Sequence, residues 1–285
     1  MRAGGKTFQA CDAELNDKEF DLFRTLIWKE SGINLGPNKK EFLRTRLLPR
    51  LRAIGCRTFR QYYRWVLTDP GMVELMHLLD AISTNLTSFF REPGHFSFLA
   101  ERALPELLGS RQPHQPRDVR AWSAGCSTGE EAYSLAITLS EYARQVPSLR
   151  IKVLGTDISS RVLTLARRGV YPKERLGGAS EDILSRYFQR GVGRQSGYLR
   201  VKSELAGLVT FARHNVLQEV PFRALDLIFC RNVLIYFARQ DQHEVVERFC
   251  RVLAPKGYLF VGHSESLAGL HARLRYRQPA VYQRI

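Results

Sequence analysis

From residue 16 to about 80 the apolar positions recur every three or four residues, and that spacing predicts helix throughout. Asn16 stands ahead of Asp17, Glu19 and the series Phe20, Phe23 and Ile27, the pattern of a capped amphipathic helix. The run 31–38, rich in Gly, Asn and Pro, breaks it. A second helix is expected from Lys39 to about Ala53 on Phe42, Leu43, Leu47, Leu48 and Leu51, with Pro49 kinking or shortening it. Gly55 closes it. Phe59, Tyr62, Tyr63, Val66 and Leu67 mark a third helix, and Leu75, Leu78, Leu79 and Ile82 a fourth that starts near Met72.

From Val119 the pattern changes to short apolar runs that alternate with helical segments. Strands are expected at 119–123, 151–156 and 225–230, each followed by a helix, at 131–142, 160–168 and 240–253. Pro255-Lys256-Gly257 reads as a turn into a last strand at 258–262. Such alternation is the sequence form of βαβ units, hence an α/β fold with a mainly parallel sheet. An extra region, 171–213, lies between the second and third strands, and a small antiparallel insertion is expected there, at about 185–213. The chain therefore divides into a loose tail (1–15), a helical domain (16–80) and an α/β domain (81–285).

Composition narrows this little. An apolar share of 44% suffices for a real core, and no apolar run approaches the roughly 20 residues that a membrane-spanning helix needs. The first residues, Met1 to Lys6, lack the apolar stretch of a secretory signal. Cys11, Cys56, Cys126, Cys230 and Cys250 are scattered without a CxxC pair or zinc spacing, so free thiols in a reducing cytosol are expected, and no metal site. A formal charge of +15 does change the picture, because it calls for a polyanionic partner: nucleic acid, an acidic membrane surface or an acidic protein.

In an open parallel sheet, ligands bind at the carboxyl ends of the strands. The first predicted strand runs into Ser123-Ala124-Gly125-Cys126-Ser127-Thr128-Gly129-Glu130-Glu131, whose small residues let a ligand approach the backbone. Asp157 follows the second, placed to accept hydrogen bonds from a ribose diol, and Arg231-Asn232 follow the third. Two carboxylates at a helix start would repel a pyrophosphate and suit a ligand with a ribose and a positive reactive group, as in S-adenosylmethionine.

Four stretches carry a resemblance to the chemotaxis-receptor glutamate methyltransferase family: Asn85 to Glu92, Trp122 to Glu131, Phe229 to Phe237 and Gly262 to Leu267. It runs from about Phe20 to the end. The resemblance implies a small all-helical N-terminal domain, then a Rossmann-like S-adenosylmethionine-dependent methyltransferase domain carrying a small antiparallel β-subdomain. It implies cofactor contacts from Asn85, Thr87, Arg91, Glu131, Asp157, Asn215, Val216, Asn232 and Val233, with S-adenosylhomocysteine as product. Tyr236 would sit near the transferred methyl and Arg91 would orient a carboxylate. Gly191, Gly193 and Gly197 resemble the loop through which such a β-subdomain pairs with the receptor's C-terminal peptide. Phe89 and Phe90 are expected in the core, and His263 as a hydrogen-bonded residue at a strand end.

The expected reaction is displacement at the methyl carbon by a glutamate carboxylate, already ionised at neutral pH with a pKa of about 4.3, so no general base is needed. The implied partner is the acidic helical bundle of a methyl-accepting chemotaxis receptor, with the protein cytoplasmic and recruited to receptor arrays. Between Lys39 and Arg64 nine Lys and Arg face one acid, Glu41. From these, Lys40, Arg44, Arg46, Arg50 and Arg52 are the candidate receptor-binding residues. Two other readings compete: an RNA or DNA methyltransferase, and a catalytically silent receptor-binding adaptor. The first lacks an Asn-Pro-Pro-aromatic or Asp-Pro-Pro-aromatic motif and a base-stacking platform; intact Glu131, Asp157 and Asn232 speak against the second.

Overall fold

The structure, a computed structural model, describes residues 13–83, 86–109, 118–146, 148–177, 179–220, 222–267 and 273–285. The chain divides into two compact units, Met1–Thr84 and Asn85–Ile285.

The first unit is helical: α1 (Asp17–Ser31), α2 (Lys40–Ile54), α3 (Phe59–Thr68) and α4 (Val73–Ile82). Asn16 caps α1 in a capping box with Glu19, as its sequence predicts. Phe23, Phe59 and Tyr62 form its aromatic centre. Two expectations are corrected. Pro49 does not shorten α2, which runs on to Ile54. The carbonyl its ring deprives of a partner belongs to exposed Thr45, while Leu43, Leu47 and Leu51, each 0% exposed, pin both halves in the core. Nor is all of 1–15 loose. Residues 1–12 lie outside the described residues, but Leu15 is buried and the Ala13 carbonyl accepts from Arg44 Nε at 3.2 Å.

The second unit opens with α5 (Pro93–Phe98), which passes through a π-helical turn into α6 (Leu104–Gly109). There follow β1 (Asp118–Ala124), α7 (Glu130–Ala143), β2 (Arg150–Asp157) and α8 (Ser160–Arg168). The insertion holds β3 (Val170–Pro172), α9 (Glu181–Tyr187), β4 (Phe188–Arg190), β5 (Tyr198–Val201) and the single turn α10 (Ser203–Ala206). The chain ends with β6 (Val209–Arg213), β7 (Leu225–Cys230), α11 (Arg239–Val252), β8 (Leu253–Val261), β9 (Leu274–Gln278) and β10 (Val281–Arg284).

Among the described residues the main sheet has the order β6-β2-β1-β7-β8-β10-β9, and the small one β3-β5-β4. From β6 to β8 all neighbours are parallel, and β10 runs antiparallel between β8 and β9. Side chains of β7 alternate between two cores: Leu227 and Phe229 face one with Tyr133 and Phe260, and Ile228 and Cys230 face the other with Trp122 and Phe249. A strand covered on both faces is nearly all apolar, which is why its run is so legible; the exception, buried Asp226, accepts from Arg120 N at 2.9 Å.

Two further boundaries differ from expectation. Residues 209–213, expected in the insertion, form β6 in the main sheet, paired from Val153↔Val209 to Asp157↔Arg213. Pro255-Lys256-Gly257 is not a turn between elements but an irregularity within β8, where the β7 register shifts and Lys256 takes φ 64°. The order of connection places the switch point of the sheet between β1 and β7, so the crevice at their carboxyl ends is where a ligand fits.

Candidate active site

The loop leaving β1 folds back on β2: Gly125 N and Cys126 N both donate to the Thr156 carbonyl at 2.8 Å. Glycine is required at two points. A Cβ on Gly125 (φ 82°) would lie 2.4 Å from Val233 Cγ2, and one on Gly129 (φ 98°) 2.8 Å from Ala166 Cβ. Asp157, at the end of β2, accepts from Ser127 N through Oδ2 and from Ser159 N through Oδ1, both at 2.9 Å.

The paired acids at the start of α7 separate. Glu130 is fully buried, bound by Arg175 Nη1 at 2.6 Å and Thr128 Oγ1 at 2.6 Å, and serves the fold. Glu131 accepts from Ser123 Oγ at 2.7 Å and from Arg231 Nη1 at 3.1 Å. Burial raises the Glu131 pKa, with Arg231 and Ser123 opposing. Arg231, its side chain 2% exposed, also lies 3.0 Å from Glu92 Oε2 and donates to the Arg91 carbonyl. Burial alone would raise the Glu92 pKa as well, but the Arg231 charge and hydrogen bond, with His263 and His95, together outweigh it and hold the carboxyl below its ordinary value. Arg91 itself donates to the Leu86 carbonyl at 2.9 Å, and Phe90 N donates to Ser134 Oγ at 2.9 Å, which ties the chain at Phe90 to α7; Thr87 lies three residues before that tie.

At the end of β7, Asn232 takes φ 57°, and its amide donates to Glu265 Oε2 at 2.9 Å. Buried Glu265 accepts also from Gly262 N and from Ile235 N, so one carboxylate braces the turn carrying Asn232, Val233 and Tyr236. Tyr236 is half-buried against the Trp122 core. Asn215 and buried Val216 follow β6, where His214 N donates to the Asp157 carbonyl at 3.1 Å. Thus Glu131, Asp157, Asn215, Val216, Asn232 and Val233 all follow the carboxyl ends of parallel strands, on one edge of the sheet. Asn85 lies outside the described residues.

Among the described residues the four cysteines, Cys56, Cys126, Cys230 and Cys250, are free and buried. Burial, reinforced by Asp157 and Glu131, pushes the Cys126 thiol far above its ordinary value, which disqualifies it as a nucleophile. Glu92, His95 and His263 place possible metal ligands within 4.8 Å of one another. The guanidinium of Arg231 lies 3.0 Å from the single carboxylate of that trio, and a cation already in contact with Glu92 Oε2 repels a divalent ion there. His263 is exposed on the turn after β8, its ring 5.0 Å from that of His95.

In the helical unit the candidate cations differ. Arg50 forms a bidentate pair with buried Glu74, at 2.9 and 2.6 Å, and Tyr62 donates to the same carboxylate at 2.9 Å. Lys40 pairs with Asp17 at 2.6 Å and Arg44 with Glu41 at 2.8 Å. Arg46 and Arg52 are exposed, Arg46 lying 5.3 Å over the Phe42 ring. Of the five candidate receptor-binding cations, Arg50 is thus bound bidentately to a buried carboxylate, a contact the fold itself uses. Arg231, Glu92, Ser123 and Glu265 are site residues that the sequence reading gave no role; all four lie inside the quoted motifs, but nothing local reveals whom they bind.

Residues 85–282 match the CheR methyltransferase SAM binding domain and residues 18–83 the CheR methyltransferase all-alpha domain. The chain is 41% identical over 271 residues to the chemotaxis protein methyltransferase of Salmonella typhimurium, covering 94% of this chain and 90% of that protein. Identity is 40% to that of Escherichia coli, over 94% and 91% of the two chains, and 37% to that of Borreliella burgdorferi, over 91% of each. The chain belongs to the CheR family of S-adenosylmethionine-binding chemotaxis protein methyltransferases.

Proposed function

We propose that the protein methylates glutamate carboxylates on the acidic helical bundle of a chemotaxis receptor, forming glutamyl methyl esters. The observation that carries this reading is the meeting of the Gly125–Glu131 loop, Asp157 and Asn232 at one edge of the sheet, with Arg91 tied to the same edge through Arg231. The residues fit S-adenosylmethionine: Asp157 is a carboxylate at the carboxyl end of β2, the type of acceptor a ribose diol needs, Gly125 gives backbone access, and Glu131 is an acid beside the crevice that suits a cationic ligand. When bound, that cofactor supplies an electrophilic methyl on a sulfonium.

The chain's own task is then alignment and exclusion of water. A glutamate nucleophile with a pKa of about 4.3 needs no base, in keeping with a site whose thiol is inert. Asn215 and Val216 would border the adenine and Tyr236 the transferred methyl. Arg91 would orient a carboxylate, and Arg91→Ala should lower transfer by about a hundredfold or more without shifting the melting temperature. Near-normal activity in that folded variant would remove Arg91 from the mechanism. The edge strands β3 and β4 of the small sheet give a receptor C-terminal peptide a place for strand addition.

The deciding experiment is transfer of labelled methyl from S-adenosylmethionine to receptor-containing membranes, followed by brief alkali. Label on the receptor that alkali releases as methanol establishes a carboxyl ester. Alkali-stable label, label on nucleic acid, or donor binding without transfer would each overturn the proposal.

A further inference from the structure

Arg231 is conspicuous because the sequence gives it no role and the fold buries it almost completely. Its guanidinium has three diverging partners: Glu131 Oε2 on α7, Glu92 Oε2 ahead of α5, and the backbone carbonyl of Arg91. A planar fork can meet three acceptors at fixed angles, whereas an ammonium presents a compact charge on a flexible stem. Burying one guanidinium with two carboxylates is not an efficient way to stabilise a fold, since apolar side chains of similar volume avoid the desolvation. What the arrangement does provide is orientation.

The backbone beside it needs holding. Phe90 and Glu92 both occupy the left-handed region, at φ 52° and 57°, where non-glycine residues persist only under restraint from their surroundings. The restraints flanking Arg91 are Phe89 N to the Arg175 carbonyl at 3.1 Å, Phe90 N to Ser134 Oγ at 2.9 Å, and Arg231 on the Arg91 carbonyl. Of these, Arg231 alone also grips Glu131.

We propose that Arg231 is a positioning residue for methyl transfer: it fixes Glu131 toward the donor and, with the same guanidinium, holds the Arg91–Glu92 backbone at the crevice. Donor binding and acceptor alignment then depend on one side chain that touches neither. The inference rests on the reading of Glu131 as a donor contact. Glu131 faces Arg231 from the end of β7, Glu92 from the segment before α5, Ser123 from β1, and the buried thiols Cys126 and Cys230. With Arg231 gone, only the Ser123 hydroxyl among these favours the ionised carboxylate.

The test uses the full-length protein, with donor affinity measured by calorimetry on S-adenosylmethionine and turnover measured on receptor membranes. Arg231→Lys should melt near the wild-type temperature, bind donor about tenfold more weakly and turn over at least about tenfold more slowly at saturating donor. Glu92→Gln keeps the Glu131 arm, so it should lower kcat while leaving donor affinity within about twofold. Arg231→Gln should bind weakly with a deficit relative to wild type that shrinks as pH rises, because loss of the Arg231 charge moves the Glu131 pKa further up. A merely structural role would give a deficit equal at every pH. Wild-type affinity and kcat in Arg231→Lys overturn the proposal. If that variant fails to fold, unchanged kcat in Glu92→Gln overturns it instead. Glu131→Gln separates the two readings: unchanged donor affinity there defeats the donor contact itself, whereas loss there beside a normal Arg231→Lys defeats only the role of Arg231.

Discussion

Arg46 and Arg50 lie one turn apart on α2 with the same charge, yet burial gives them different fates. Arg50 neutralises Glu74, whose side chain is 6% exposed. Arg50→Glu would leave that carboxylate buried beside a second one and should destabilise the helical unit by about 3 kcal/mol, visible in a urea titration. Exposed Arg46 makes no such pair among the described residues, so Arg46→Glu should raise the KM for receptor and leave the urea midpoint unchanged; a shift in that midpoint would count against a surface role. His95 supports a second prediction. Burial, with the Arg231 charge acting the same way, pushes its pKa down to about 4 despite Glu92 nearby. Its unfolded imidazole titrates near 6.5, so between those values the unfolded chain binds more protons. The contribution is therefore complete above pH 6.5 and is lost as pH falls toward 4, by about 3 kcal/mol in all. Thermal midpoints taken from pH 7 downward should fall less steeply for His95→Phe, and equal slopes would contradict this origin. The type of each residue was legible in the sequence; its partner was not, because Arg50 meets Glu74 and Arg231 meets Glu92 only after distant segments pack.

At the scale of elements, a strand buried on both faces and a strongly amphipathic helix were the easiest to read. β7 is apolar but for Asp226, and α8, with Val162, Leu163 and Ala166 buried, spans the residues its period predicts. β6 was missed because an edge strand, half exposed, carries a weak pattern and follows an insertion that already had strands of its own. The Gly125 loop connects sequence to site most directly. An added methyl at Gly125 meets Val233 and must displace it or the loop, at a cost of about 1–3 kcal/mol. Since Val233 is a proposed cofactor contact, Gly125→Ala should weaken binding of S-adenosylhomocysteine about tenfold or more, while the helical unit melts as before. Unchanged affinity would place the cofactor away from this loop.

For the whole molecule, a net charge of +15 bears on encounter rather than on the fold. If receptor capture is electrostatic, the KM for receptor should rise steeply as salt shortens the Debye length from about 8 Å toward about 3 Å, while affinity for S-adenosylhomocysteine changes little. Parallel loss of both would point to unfolding, and a flat KM to capture by another route. The sequence alone determined the helical start, the succession of the central β-α units, the α/β class and the motifs that mark the family, since each depends on local periodicity or on contiguous residues. The tertiary structure alone decided which of two adjacent acids faces the crevice, which basic residues the fold already occupies, and that Arg231 joins Glu92, Arg91 and Glu131. Those relations join positions tens to more than a hundred residues apart, and burial and charge pairing between them exist only once the sheet has brought its strand ends together.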